Sequence, residues 1–230
     1  MLSQRQQYIL KLIIEDYIRS AEPIGSKLLA EKFHLGVSSA TVRNEMAELE
    51  RQGYLDQPHT SAGRIPTEKA YIFYIQNLQE QQVVQGRPLE EFENTHERYE
   101  NSIKGIAKRL VEVSGETAII AFDPNWSYYT GVSNLLHKPD FRNLEMTRTI
   151  SDLIDQFDEV IHRMFGTVPE EPHIYLGMNN PFGREMATIL VRYKDKNEHT
   201  GLIGLVGPLR MNYPKNIALV ERARDVIAEL

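Results

Sequence analysis

Residues 38–66, SSATVRNEMAELERQGYLDQPHTSAGRIP, decide the fold. On a wheel with Val42 at zero, Met46 and Leu49 fall within about 40° of it, which makes one apolar stripe. Ala40, Asn44, Ala47 and Arg51 collect on the opposite side, with Thr41 and Arg43 on its flanks. The spacing predicts a helix that begins after Val37, capped by Ser38 or Ser39, and stops at Gly53 in the C′ position. The polar run that follows is framed by Pro58, Gly63 and Pro66 and reads as a hairpin.

Two helices precede this segment. Residues 3–19 carry Ile9, Ile13 and Tyr17 one turn apart, with Leu10, Leu12, Ile14 and Ile18 widening the stripe. Glu22-Pro23-Ile24-Gly25 stops that helix, and Ser26 is the expected N-cap of a second one that bears Leu28, Leu29 and Phe33 and closes at Gly36. Three helices and then a β-wing within about 70 residues is the order of a winged helix-turn-helix.

Downstream, glutamines 76, 79, 81, 82 and 85 and then Gly86-Arg87-Pro88 mark a composition shift. The expected division is therefore a winged-helix domain over 1–75, a linker and the start of a long helix over 76–100, and a second domain over 101–230. Leu89, Phe92, His96, Tyr99, Ile103, Ile106, Leu110 and Val113 alternate gaps of three and four, a coiled-coil pattern. Leu89, Phe92, His96 and Tyr99 are the candidate dimer seam, while Ile103, Ile106 and Leu110 are expected to pack on the protein's own sheet. Strands are expected at 118–122, 126–132, 173–177, 189–194 and 201–206, with helices at about 147–165 and from Pro214 onward. The class is α+β, an antiparallel sheet with packed helices.

The chain has 230 residues, 41% of them apolar, no Cys, and 26 Lys+Arg against 32 Asp+Glu. This excludes disulfides and thiolate metal sites. With no long apolar run or signal-peptide core, the cytoplasm is the default address. Residues 1–75 hold nine basic and nine acidic side chains, which leaves 17 against 23 in the remainder. A polyanion should therefore meet the N-terminal part.

The polar face of the third helix suits a major groove. Ala40 and Thr41 offer methyl groups to thymine, Arg43 can pair with guanine and Asn44 with adenine. Ser26, Lys27, Ser38, Ser39, Arg51, His59, Thr60, Ser61, Arg64 and Lys69 are the expected backbone contacts, from helix starts and wing. Glu48 lies close enough to that face to cost affinity. No hydrolase, phosphate-loop, dinucleotide or metalloprotease motif is present, so the reading is not an enzyme and has no cofactor or metal. Asp152, Asp155 and Asp158 read as a solvated helix face. Gly201, Gly204 and Gly207 read as close packing along a strand rather than a phosphate cradle. Two alternatives stay open: a winged-helix module for protein partners, and a metabolite sensor with Trp126, Tyr128 and Tyr129 lining a pocket.

Residues 38–50, Gly53-Tyr54-Leu55 and Pro58 through Thr67 closely resemble the HrcA family of bacterial heat-inducible transcription repressors. Arg5-Gln6, Ile9-Leu10 and Glu22 through Lys27 are similar to the same family, as are Gly201 through Tyr213 and, more weakly, Gly131 through Leu136. The resemblance implies a winged helix followed by a GAF-like domain. It also implies a homodimer on double-stranded DNA carrying an inverted repeat, the CIRCE operator before chaperone genes, and a GroEL-type chaperonin that promotes the active form. Two departures stand out. Family members carry a longer, dimerising segment before the Gly131 motif, where about a dozen residues stand here. Ala70 and Ile72 replace the Gly and Arg usual after the wing.

Overall fold

The computed structural model describes residues 2–59, 62–79, 99–141, 154 and 156–230. The chain divides into two compact units, Met1–Gln82 and Val83–Leu230.

The first unit is built from α1 (Gln4–Ser20), α2 (Ser26–Lys32), α3 (Ser39–Arg51), β1 (Leu55–Asp56), β2 (Ile65–Pro66) and α4 (Glu68–Gln79). Ser3 caps α1 in a capping box with Gln6. Ile9, Leu10 and Ile13 of α1 and Val42, Met46 and Leu49 of α3 are buried, and α1 lies against α3. The end of α3 is a Schellman motif. Gly53, at φ 78°, donates to the Glu50 carbonyl and Tyr54 to that of Leu49.

Two local expectations need correction. Gly25, not Ser26, is the N-cap of α2, because it takes the extended backbone (φ −88°, ψ 152°) that a cap requires. Ser26 is the first helical residue and is buried. Helix α2 ends at Lys32, with His34 and Gly36 both left-handed beyond it. Helix α4 was not anticipated. Its signal was Thr67, whose hydroxyl accepts from the Ala70 amide, followed by Tyr71, Tyr74 and Ile75, all buried.

The second unit contains α5 (Tyr99–Ser114), β3 (Thr117–Asp123), β4 (Trp126–Thr130), α6 (Val132–His137), a helical run α7 over 156–164, β5 (His173–Leu176), β6 (Met186–Lys194), β7 (Thr200–Pro208) and α8 (Tyr213–Ala228). The five strands form one antiparallel sheet in the order β4-β3-β7-β6-β5. The α+β class expected from the sequence is the observed one. One sheet face carries Ile119, Ala121, Met186, Leu190, Leu202 and Val206, which pack with Leu135, Phe141, Phe157, Val160 and Ile161. The alternate residues turn to the other face, where α5 lies on β3 and α8 on β6 and β7. Burial on both faces explains why β7 is an unbroken apolar run rather than an alternating one. Val132 is not in a strand: Gly131, left-handed at φ 81°, ends β4 and opens α6. The start of the helix expected at 147–165 lies outside the described residues.

The glycines of β7 are set by contact. A Cβ on Gly204 would lie 2.0 Å from the Ile189 carbonyl oxygen, and one on Gly201 would lie 2.2 Å from the Tyr193 ring. A Cβ on Gly207 would strike the buried Glu116 carboxylate. Glu116 bonds Lys138, and beside them Arg210 holds Asp140 at 2.7–2.9 Å. These charges join the Gly131 and Gly201 motifs at one end of the sheet. Burial pushes the Glu116 carboxyl above its usual range even against Lys138.

Gly204→Ala should therefore cost about 3 kcal/mol, read as a lowered urea midpoint, because β6 backbone and not a flexible side-chain end occupies the space. A pH effect follows from Glu116. Its carboxyl holds a proton more tightly when folded, so its contribution to stability declines as pH rises from 4.5 through the folded value. As pH rises above 4.5 the wild-type chain should lose stability relative to Glu116→Gln; a gain would contradict the assignment.

Candidate nucleic-acid interface

Helix α3 is capped by Ser38, whose hydroxyl accepts from the Thr41 amide at 3.1 Å and bonds the Thr41 hydroxyl at 3.0 Å. The apolar stripe turns inward, and Ala40, Arg43, Asn44, Ala47 and Arg51 are all exposed, as the wheel required. Ser38, Ser39 and Lys27 are exposed as well, Thr41 is half-buried, and His59 is exposed on the wing. Thr60 and Ser61 lie outside the described residues.

A polar cleft of about 460 Å³ opens between the start of α2, α3 and the wing. Its walls include Ser26, Arg43, Gln57, Gly63 and Arg64. Ser26 is a wall residue with little of its surface free.

The nine cations of the first 75 residues are unequal. Arg5 pairs with Glu45, Lys11 with Glu15, and Arg19 and Lys32 with Asp16. Arg51 is bound by Glu48 through two contacts at 2.6 and 2.9 Å. Arg64 is bound by Glu50 at 2.9 Å. Lys69 donates to the Gln52 carbonyl at 2.8 Å and sits 4.4 Å above the Tyr54 ring. Among the described residues, Lys27 and Arg43 alone of the nine have no ion pair or side-chain hydrogen bond. Arg51, Arg64 and Lys69, all read from the sequence as phosphate ligands, are thus already engaged by the protein itself.

The bonds from Arg51 and Gln52 hold the Glu48 carboxyl below its ordinary range. They also neutralise the one acid near the polar face of α3, so the cost expected from Glu48 is reduced. Sequence reasoning missed this pairing although Glu48 and Arg51 stand three residues apart, a spacing that places side chains together on a helix.

The remaining candidates disperse. Trp126 and Tyr128 are on one side of β4, with Lys104 over both rings, whereas Tyr129 points the other way and stacks on Phe157. They do not line one pocket. Asp158 accepts from Ser127 and ties α7 to β4, while Asp152 and Asp155 lie outside the described residues. Leu89, Phe92 and His96 also lie outside them, and Tyr99 opens α5. Ile103, Ile106 and Leu110 are buried within the second unit.

Comparison with known proteins agrees with this geometry. Residues 1–82 match the family described as winged helix-turn-helix transcription repressor, HrcA DNA-binding, and residues 74–217 match the HrcA protein C terminal domain. The chain is 25% identical over 338 aligned positions to the heat-inducible transcription repressor HrcA of Halalkalibacterium halodurans, covering all of this chain and 98% of that protein. Since this chain has 230 residues, many positions of the relative have no counterpart in it. The HrcA of Acetivibrio thermocellus is 48% identical over 113 residues, 49% of this chain and 31% of that protein. A crystal structure described only as a hypothetical protein superposes with a TM-score of 0.82 at 17% identity, over 99% of this chain and 98% of that one, and so shares the fold. With the two family matches together running from residue 1 to residue 217, the chain belongs to the HrcA family of heat-inducible transcription repressors, which bind DNA through a winged helix-turn-helix.

Proposed function

We propose that this chain represses heat-shock chaperone genes in the cytoplasm by binding, as a homodimer, an inverted-repeat operator. The observation that carries the reading is the pair of exposed cations, Lys27 on α2 and Arg43 on α3, which have no ion pair or side-chain hydrogen bond among the described residues, Arg43 lining the cleft between α2, α3 and the wing. A near-neutral domain that leaves two exposed cations unpaired among the described residues offers local positive charge to a polyanion. Arg43 and Asn44 read base edges, with Ala40 and Thr41 beside them. Lys27, Ser38, Ser39, His59, Thr60 and Ser61 hold phosphates.

Dimerisation follows from the operator's symmetry, since two copies of α3 must meet two half-sites on one DNA face. The buried positions Ile103, Ile106 and Leu110 serve the chain's own core, and the seam proposed between copies is the one read from the sequence, Leu89, Phe92, His96 and Tyr99. β3 and β4 are joined here by Pro124-Asn125 alone, which leaves no room between them for a dimerising insert. A native state worth only about 5 to 15 kcal/mol is depleted by a modest rise in temperature. A GroEL-type chaperonin that refolds it would couple repression to spare folding capacity.

A gel shift on an inverted-repeat duplex and its scrambled counterpart, with salt varied, tests the reading; equal affinity for both would favour a protein-interaction module instead. Arg43→Ala should cost about 1 to 3 kcal/mol on the specific duplex and little on the scrambled one. Lys27→Ala should weaken both alike and flatten the slope of log affinity against log salt by about 0.9.

A further inference from the structure

We infer that Arg64 is a positioning residue, which clamps the wing to the recognition helix through Glu50, and is not one of the cations that neutralise phosphate. The inference rests on the DNA-binding reading above and gives a different task to a residue that the sequence suggested as a phosphate contact.

The wing cannot orient itself. Strands β1 and β2 are two residues each, paired only at Leu55–Pro66 and Asp56–Ile65, and Pro66 has no amide proton to give. So short a ladder is marginal in water, and its direction must come from contacts outside the hairpin. Three such contacts converge at residues 63 and 64. Nε of Arg64 donates to Oε2 of Glu50 at 2.9 Å and Nη2 makes an ion pair with the same oxygen at 2.9 Å, with the two side chains only 19% and 33% exposed. The Arg64 amide donates to the Ile24 carbonyl at 2.9 Å and its carbonyl accepts from the Ile24 amide at 3.1 Å. Gly63 packs so closely on the same segment that a Cβ would lie 2.3 Å from the Ile24 carbonyl carbon. The wing base is thus fastened at once to α3 and to the approach of α2.

Two consequences follow for binding. The charge of Arg64 is compensated, so it releases no counterion from DNA, and the uncompensated cation on the same cleft is Arg43. The orientation of the wing relative to α3 is settled before DNA arrives, so the ordering entropy is not charged against affinity.

The test exploits a conflict of sign. If Arg64 were a phosphate ligand restrained by Glu50, Glu50→Gln would free it, remove a negative charge, and tighten binding with a steeper salt slope. The clamp requires the opposite. The full chain and its Glu50→Gln, Arg64→Gln, Arg64→Lys and Glu50→Gln/Arg64→Gln variants are titrated by fluorescence anisotropy, across a salt series, onto a duplex that the wild-type chain selects from a random pool. Each single variant should bind about fivefold more weakly with the wild-type salt slope, and the double variant should be no worse than either Gln single. Arg64→Lys keeps the charge but loses the Nε hydrogen bond and the planar approach of two nitrogens to Oε2, and it should show the same loss. Wild-type affinity in Arg64→Lys, tighter binding by Glu50→Gln, or a slope flattened by about 0.9 in Arg64→Gln overturns the clamp. A wild-type chain that enriches no duplex overturns the DNA-binding reading itself, and the clamp with it.

Discussion

The burial of Val42, Met46 and Leu49 is the constraint from which the first unit follows. These side chains can leave water only against a partner, and α1 and α2, which both lie against α3 and bury Ile9, Leu10, Ile13 and Leu29, supply it. Once that stripe is inward, a helix with a 3.6-residue period has one direction left for Ala40, Arg43, Asn44 and Ala47. The polar surface of α3, proposed to face DNA, is in this sense the remainder of the packing problem. Small residues occupy it because a bulky one would hold the helix away from a groove wall.

Charge is distributed with the same economy. Nine cations and nine acids give no net attraction to a polyanion, yet the acids are spent on particular partners. Glu48 takes Arg51, Glu50 takes Arg64, Asp16 takes two cations of α1 and α2, and among the described residues the pairing leaves Lys27 of α2 and Arg43 of α3 exposed. Local placement, rather than domain charge, makes the surface basic.

The second unit obeys a different constraint. Its sheet is covered on both faces, so its central strands cannot alternate polar and apolar residues, and close inter-strand packing admits only glycine at 201, 204 and 207. The pair of buried Glu116 with half-buried Lys138 and the neighbouring Asp140–Arg210 pair tie the segment that closes α6 to the two ends of the central strands, before β3 and after β7. Breaking such a pair is costlier than the pair is worth, since it leaves one charge buried alone.

Much of this was legible in the residues themselves. Helical periods of Ile9–Ile13–Tyr17 and Val42–Met46–Leu49, the Ser38 cap and Gly53 at C′ are local, and local signals survive folding unchanged. The HrcA resemblance rests on the same contiguous segments. What the sequence could not disclose lies between segments distant in the chain. Nothing near Arg64 announces that Glu50 is its partner, nothing near Lys69 announces the Gln52 carbonyl, and Gly207 gains its meaning only from Glu116. A basic residue in the sequence is only a candidate for phosphate. Whether its charge is available depends on which acid the fold brings within 3 Å, and that is settled by tertiary packing because Coulomb attraction acts across space without regard to chain order.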